Sequence, residues 1–109
     1  MAEQKEDKSI HVVVTWEVKE DKIDAFLAAV KPMVMATNKE KGCLRYNLHQ
    51  DKKNQCKFVM VEEWDSQENL SEHLKSAHVK AFGEEKKKQD FDQKPPAIYF
   101  CGGPVFNLE

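Results

Sequence analysis

Two strand-like segments joined by a short polar turn constrain this chain more than any other feature of its sequence. Cys43–Gln50 (CLRYNLHQ) alternates apolar and polar residues, and Lys57–Trp64 (KFVMVEEW) is rich in β-branched and aromatic residues. A loop as short as DKKNQC between two such runs implies an antiparallel hairpin. We therefore expect a hairpin in the middle of the fold.

A strand and a helix precede the hairpin. Ile10–Val18 (IHVVVTWEV) is β-branched and aromatic, which predicts a strand. Apolar residues at helical spacing predict a first helix over approximately 22–40, with Asp21 as a possible N-cap and Gly42 just beyond its end. Pro32 should kink or split this helix because its nitrogen has no hydrogen to donate.

A helix and a strand also follow the hairpin. Asp65 and Glu68 form a capping box that predicts the start of a second helix, and this helix should falter near Ser76 or Gly83. The charged stretch 84–94 is expected to be a solvated helix tail or a loop. The run AIYFC at 97–101 predicts a final strand that Gly102-Gly103-Pro104 ends.

The element order indicates an α+β, ferredoxin-like β-α-β-β-α-β fold. In this fold both helices cover one face of a four-stranded antiparallel sheet. We expect residues 1–9 to form a disordered tail and residues 10–109 to form a single domain. Candidate residues for the uncovered face are too apolar for water, so pairing with a second copy in a homodimer is the simplest solution. Those candidates are Trp16, Phe58, Met60 and Trp64.

Composition excludes several classes of protein. The chain has 17 Lys and Arg against 19 Asp and Glu, so no basic field favours nucleic acid. No apolar stretch resembles a signal peptide or a membrane span. Three cysteines cannot all pair within one chain, so we expect them to be reduced thiols. The expected location is therefore the cytoplasm, and we expect no association with membranes.

Glu62 is the first candidate for chemistry. Period-two alternation places it on the same face of its strand as Phe58, Met60 and Trp64. Apolar surroundings raise the pKa of a carboxyl group toward the range of a general acid or base. The alternative is a structural ion pair between Glu62 and Arg45.

Two histidines in the second helix are the other candidates. In a continuous helix, His73 and His78 point about 140° apart, and they converge only if the helix breaks near Ser76. Either imidazole could act as a base near neutral pH, whereas the alternatives are a core histidine and a helix terminus. Because their spacing differs from the i,i+4 pair of zinc proteases, we expect no metal.

The segments KGCLRYNLHQD and FVMVEEWDSQENLSEHLKSAHVKAF resemble the antibiotic biosynthesis monooxygenase domain family, and the resemblance extends from Ile10 to about Val105. The family pattern is a glycine before strand two, an aromatic in that strand, Glu-x-Trp ending strand three and two histidines in helix two. The matching residues are Gly42, Tyr46, Glu62, Trp64, His73 and His78. The resemblance implies a dimeric α/β barrel with its site between sheet and helices.

The resemblance further implies a monooxygenase that needs no cofactor and acts on a small quinol-like or anthrone-like aromatic. His78 or His73 would remove the substrate proton, while Glu62 and Arg45 would orient the base and the anion. The expected substrate pocket is lined by Trp16, Tyr46, Phe58, Met60 and Trp64. The alternatives are an isomerase of a small phosphorylated sugar-like ketone and a non-catalytic dimeric module for small-molecule binding or stress response.

Overall fold

A computed structural model describes residues 7–106 of the chain. In chain order the elements are β1 (Ile10–Val18), α1 (Ile23–Thr37), β2 (Cys43–Gln50), β3 (Lys57–Trp64), α2 (Gln67–Leu74), α3 (Ala77–Gln89) and β4 (Asp92–Cys101), with a 3-10 turn at Glu20–Lys22 before α1. The sheet order is β2-β3-β1-β4 and every neighbouring pair is antiparallel. This is the predicted ferredoxin-like α+β fold.

The ends of α1 differ from the prediction. Asp21 lies inside the 3-10 turn and does not cap the helix, because Lys22 occupies the N-cap position. The helix ends at Thr37 rather than near residue 40, and Pro32 lies within this single element. Gly42 follows the helix after a short turn and adopts the left-handed conformation, with φ at +81°.

The predicted second helix is two helices. Its N-cap is Ser66, whose hydroxyl accepts a hydrogen bond from Asn69 N, so the capping-box assignment to Asp65 was one residue early. α2 ends at Leu74, and Ser76 caps α3 by accepting from Val79 N. The predicted break near Ser76 is therefore present, and the chain changes direction between two N-capped helices.

The first part of the charged stretch is a helix tail, which was one of its two predicted alternatives, and the last strand is longer than predicted. Residues 84–89 belong to α3, which ends where Asp90 takes a left-handed conformation with φ at 50°. β4 begins at Asp92 rather than at residue 97, and it includes Pro95 and Pro96. Prolines are tolerated there because β4 is an edge strand that pairs with β1 alone. The strand ends at Cys101, before the predicted stop.

The helices cover the face of the sheet that the sequence analysis had left open. Trp16, Phe58, Met60 and Trp64 are all buried in the core, so their assignment to the uncovered face was wrong. Alternation along a strand fixes which side chains share a face, but it does not say which face the helices cover. An aromatic cluster centred on Phe26 of α1 packs onto this face.

The other face carries the opposite set of side chains. The register places Val13 of β1 beside Val61 of β3 and Tyr99 of β4, and it places Arg45 of β2 beside Glu63. The two valines are half-buried and Tyr99 is exposed. Among residues 7–106 nothing packs over this face as the helices do over the other.

The predicted N-terminal tail lies partly outside the described residues, which exclude 1–6 and 107–109. Residues 7–9 have no regular secondary structure. Within the described range, no helix combines the length and the hydropathy that a membrane crossing requires.

Candidate functional site

Two histidines converge on one carboxylate oxygen at the end of the sheet where α1, α2 and α3 meet. Glu40 Oε2 lies 2.7 Å from His73 Nδ1 and 2.7 Å from His78 Nε2. The two imidazole rings lie 6.1 Å apart. Glu40 belongs to the connection between α1 and β2, so three separate parts of the chain build this cluster, which we call the Glu40 cluster (Glu40, His73 and His78).

The helix break at Ser76 makes this convergence possible. His73 lies in the last turn of α2 and His78 in the first turn of α3, so their directions are not tied to one helical period. An ionised carboxylate can only accept hydrogen bonds. The contacts therefore place a proton on Nδ1 of a neutral His73 and leave its Nε2 with a lone pair.

His73 is nearly enclosed by aromatic rings. Its ring centroid lies 4.7 Å from that of Trp64 and 5.3 Å from that of Tyr46. Burial lowers the pKa of His73, although the hydrogen bond and the charge of Glu40 act in the opposite direction. Burial also raises the pKa of the Tyr46 hydroxyl, and the nearby charges of Glu62 and Glu40 add to that effect. Both side chains are therefore electrically neutral partners at neutral pH.

Glu62 is a buried carboxyl group in the same region. Its Oε1 accepts a hydrogen bond of 3.0 Å from Trp64 Nε1. Burial raises its pKa to about 7, and the hydrogen bond from Trp64 opposes this rise. The negative charge of Glu40 raises this pKa further. Glu62 can therefore hold or release a proton near neutral pH.

A cavity of about 240 Å³ lies between the sheet and the helices, and Tyr46, Glu62 and His73 all line it. A fourth ionisable side chain, Lys86, also lines it, and its ammonium group lies 3.2 Å from Asp92 Oδ2. The apolar walls of the cavity include Val12, Val14, Trp16, Met33, Leu70, Leu74, Val79, Phe82, Ile98 and Phe100. The volume and the apolar walls suit a small, largely apolar molecule.

The predicted pocket residues divide into two groups. Trp16 and Tyr46 line the cavity, as expected. Phe58, Met60 and Trp64 are buried in the core and lie behind the cavity walls, and Trp64 acts on the site through its contacts with Glu62 and His73.

Arg45 does not face the cavity, so its expected role beside the substrate anion is wrong for this protomer. It is exposed and pairs in the sheet register with Glu63 on the opposite face, whereas Glu62 pairs with Tyr46. The alternative ion pair between Glu62 and Arg45 is excluded for the same reason. Alternation along β2 and β3 separates the two side chains by the thickness of the sheet.

Glu40 is the residue that the sequence analysis missed. It follows α1 in a charged segment, KEKG, whose pattern indicates only a solvated turn. Two neighbouring histidines at a helix break could have prompted a search for a shared carboxylate. The chain has 19 acidic residues, however, and local patterns do not show which of them reaches the histidines.

The sequence model of the family described as "Antibiotic biosynthesis monooxygenase" matches residues 9–85, which include every member of the Glu40 cluster and Glu62. The chain belongs to this family. Membership supports a monooxygenase-like role, in agreement with the resemblance of its motifs.

The chain is also similar to a curated protein of a cyanobacterium. A Synechocystis protein named "Uncharacterized protein sll1783" is 28% identical over 92 residues, and the match covers 84% of this chain and 61% of that protein. The chain therefore spans less than two thirds of the length of that curated relative.

Solved structures share the fold. A structure from Nitrosomonas europaea, named for the antibiotic biosynthesis monooxygenases, has a TM-score of 0.84 at 22% identity and covers 94% of this chain and 96% of its own. A conserved protein of Methanosarcina mazei Go1 has a TM-score of 0.80 at 28% identity, covering 87% and 92%. At 22% identity, the similarity to the Nitrosomonas structure shows only that the fold is shared.

Proposed function

We propose that this protein is a monooxygenase that oxidises a small planar phenol, of the quinol or anthrone type, without a bound cofactor. The observation that carries the proposal is the position of His73, which lines the cavity while Glu40 binds its Nδ1 from behind. A base that is oriented by a carboxylate and faces an apolar cavity is suited to proton abstraction.

The base in this proposal is Nε2 of His73. Among residues 7–106 this nitrogen has no hydrogen-bond partner, so its lone pair is available to a substrate. When it accepts a proton, the carboxylate of Glu40 lies next to the imidazolium that forms and stabilises its charge. His78 binds the same oxygen of Glu40 and so holds the carboxylate in place, which makes it a positioning residue.

The reaction can be written without an external reductant. For an anthrone, His73 removes a proton from the ring methylene, and the resulting carbanion supplies the electrons that reduce dioxygen. A carbon–oxygen bond forms, and proton return gives a hydroperoxide. Loss of the second methylene proton and cleavage of the oxygen–oxygen bond then give the ketone and one water molecule. The substrate supplies all of the electrons, and one atom of dioxygen enters the product.

Glu62 provides the acid in this scheme. Its pKa of about 7 keeps a substantial fraction protonated at neutral pH, so it can donate a proton to the departing hydroxide. It lines the same cavity as His73. In this scheme His73 is the base and Glu62 is the acid, and their different environments allow these different roles.

The test is oxygen consumption by metal-stripped protein with a panel of hydroquinones and anthrones, followed by mass spectrometry of products formed under ¹⁸O₂. We expect one labelled atom per product and a loss of at least tenfold in rate in both His73→Gln and Glu40→Gln. His49→Gln is the matched control, because His49 is exposed on the far face of β2 and should retain full activity.

Two results would contradict the proposal. One is oxygen uptake no faster than in buffer for the whole panel. The other is uptake that persists unchanged in both variants. Panel compounds that bind, measured by quenching of Trp16 and Trp64 fluorescence, but are not oxidised would favour the non-catalytic binding module instead.

The proposal includes a homodimer formed through the sheet face that carries Val13 and Val61. An isologous pairing would cover these half-buried valines and the exposed Tyr99 with the same face of a second copy. In sedimentation experiments we expect a dimer for the natural chain and a monomer for Val61→Lys. Met35→Lys, on an exposed position of α1, should remain dimeric, and a monomeric natural chain would contradict this part of the proposal.

A further inference from the structure

We infer that the Glu40 cluster is a binding site for one divalent transition-metal ion, for which Zn²⁺ is the simplest probe. The three candidate ligand atoms are Oε2 of Glu40, Nδ1 of His73 and Nε2 of His78, and all lie within 4.8 Å of one another. The inference rests on these atoms and does not depend on the proposed reaction.

The donor set is one that metals use in proteins. Two imidazole nitrogens and one carboxylate oxygen form the protein ligands of several catalytic zinc sites, in which a water molecule takes a remaining position. The same set binds non-haem iron. In a tetrahedral site, protein ligands about 2.0–2.2 Å from an ion lie roughly 3.3–3.6 Å from each other. The present oxygen–nitrogen separations of 2.7 Å therefore need to lengthen by less than about 1 Å, and the two nitrogens already lie within 4.8 Å of each other.

The helix break removes the reason for expecting no metal. That expectation assumed one continuous helix, in which the spacing of His73 and His78 separates their side chains. In the structure the ligands come from the α1–β2 connection, from α2 and from α3. Ser76 caps α3 two residues before His78 and so fixes the direction in which that helix starts.

The cluster is enclosed on one side and accessible on the other. The side chains of His73, Glu40 and His78 are 4%, 17% and 22% exposed. Trp64 and Tyr46 pack against His73 on the inner side. On the outer side His78 lines a groove of about 400 Å³ between α1 and α3, through which an ion can enter.

Metal binding and the proposed base role exclude each other. An ion on Nδ1 of His73 leaves the single proton of a neutral imidazole on Nε2, the atom that faces the cavity. Metal occupancy would therefore antagonise the proposed oxidation.

The test is titration of the metal-stripped protein with Zn²⁺ by calorimetry and with Co²⁺ by visible absorption. We expect one ion per chain and a weakening of affinity on the order of a hundredfold or more in both Glu40→Gln and His78→Gln. His78 is partly exposed, so its variant should fold, and circular dichroism checks this for both. Glu72→Gln, at an exposed position of α2, is the matched control and should bind like the natural chain.

The inference is overturned if the natural chain binds Zn²⁺ no more tightly than the Glu40→Gln and His78→Gln variants. It is equally overturned if Co²⁺ keeps the spectrum of the hydrated ion in the presence of the protein. Neither result bears on the oxygen assay with metal-stripped protein, so failure of the metal site and failure of the proposed reaction can be told apart. Metal binding without oxygen uptake would retain the inference and reject the proposed function.

Discussion

The indole Nε1 of Trp64 donates a hydrogen bond of 3.0 Å to Oε1 of Glu62, two residues earlier on the same strand. Both side chains point to the helix-covered face of the sheet, and both are buried. The hydrogen bond supplies one polar contact to a carboxyl group that has otherwise lost its water. Burial outweighs it, and the pKa of Glu62 rises to about 7.

The raised pKa of Glu62 predicts that its ionisation destabilises the fold. Between the ordinary value of 4.5 and about 7, the folded state holds this proton and the unfolded state does not, so stability falls as pH rises through that window. Glu62→Gln removes the effect. We expect urea unfolding to show that, between pH 4.5 and pH 8, the free energy of unfolding of the variant rises by on the order of 2–3 kcal/mol relative to that of the natural chain.

Glu63→Gln is the control for that experiment, because Glu63 lies on the open face and is half-buried. The free energy of unfolding of this variant should change with pH as that of the natural chain does across the same range. A Glu62→Gln profile parallel to that of the natural chain would show that Glu62 is not desolvated. Charged and titratable groups near Glu62 include Glu40, Tyr46 and Cys43, and His73 and Lys86 line the same cavity. The comparison therefore uses the same buffer and salt at every pH.

Trp64→Phe should raise the pKa of Glu62 above its value in the natural chain. The substitution removes the hydrogen bond that favours the ionised form and leaves burial and the negative charge of Glu40 to raise the pKa unopposed. The measurement is a carbon NMR titration of the Glu62 carboxyl group. An unchanged or lower pKa in the variant would mean that the indole does not stabilise the carboxylate, and Trp16→Phe, which leaves this hydrogen bond intact, is the matched control.

Ser76→Ala should destabilise the protein by about 1 kcal/mol through loss of the N-cap of α3. It should also allow His78 to move away from Glu40, because the cap fixes where α3 starts. Thermal unfolding measures the first effect, and imidazole NMR shifts of His78 measure the second. Ser71→Ala, inside α2, is the comparison and should change stability by only a few tenths of a kcal/mol. Equal effects of the two substitutions would argue against the cap.

Gly42→Ala and Gly83→Ala should have opposite effects. Gly42 has φ at +81°, and an added Cβ would clash with the side chains of Asn69 and Asp65, so we expect a loss of roughly 2 kcal/mol or more in the free energy of unfolding. Gly83 lies inside α3 with open space around it, so alanine there should stabilise the fold by about 0.5–1 kcal/mol. Chemical denaturation of both variants tests the pair, and a neutral Gly42→Ala would contradict the assigned backbone conformation.

The order of the elements was predictable because it depends on local patterns. The period of two in β3 and the helical spacing around Leu70 are properties of neighbouring residues, and the structure confirms both. In β2 the alternation is interrupted by a register shift between Cys43 and Arg45, and Leu44 is exposed. Boundaries were less predictable. Asp65 and Ser66 are both good N-cap residues, and the backbone geometry that selects Ser66 follows from the way the chain leaves β3.

The sequence by itself determined the strands, the helices, the break at Ser76 and the family motifs, because each depends on residues close together in the chain. Only the tertiary structure decided which face of the sheet the helices cover, and that choice buries Glu62 and turns Arg45 away from the cavity. It alone brought Glu40 to His73 and His78, across 33 and 38 residues of chain. Contacts over such separations depend on packing of the whole domain, which no local pattern records.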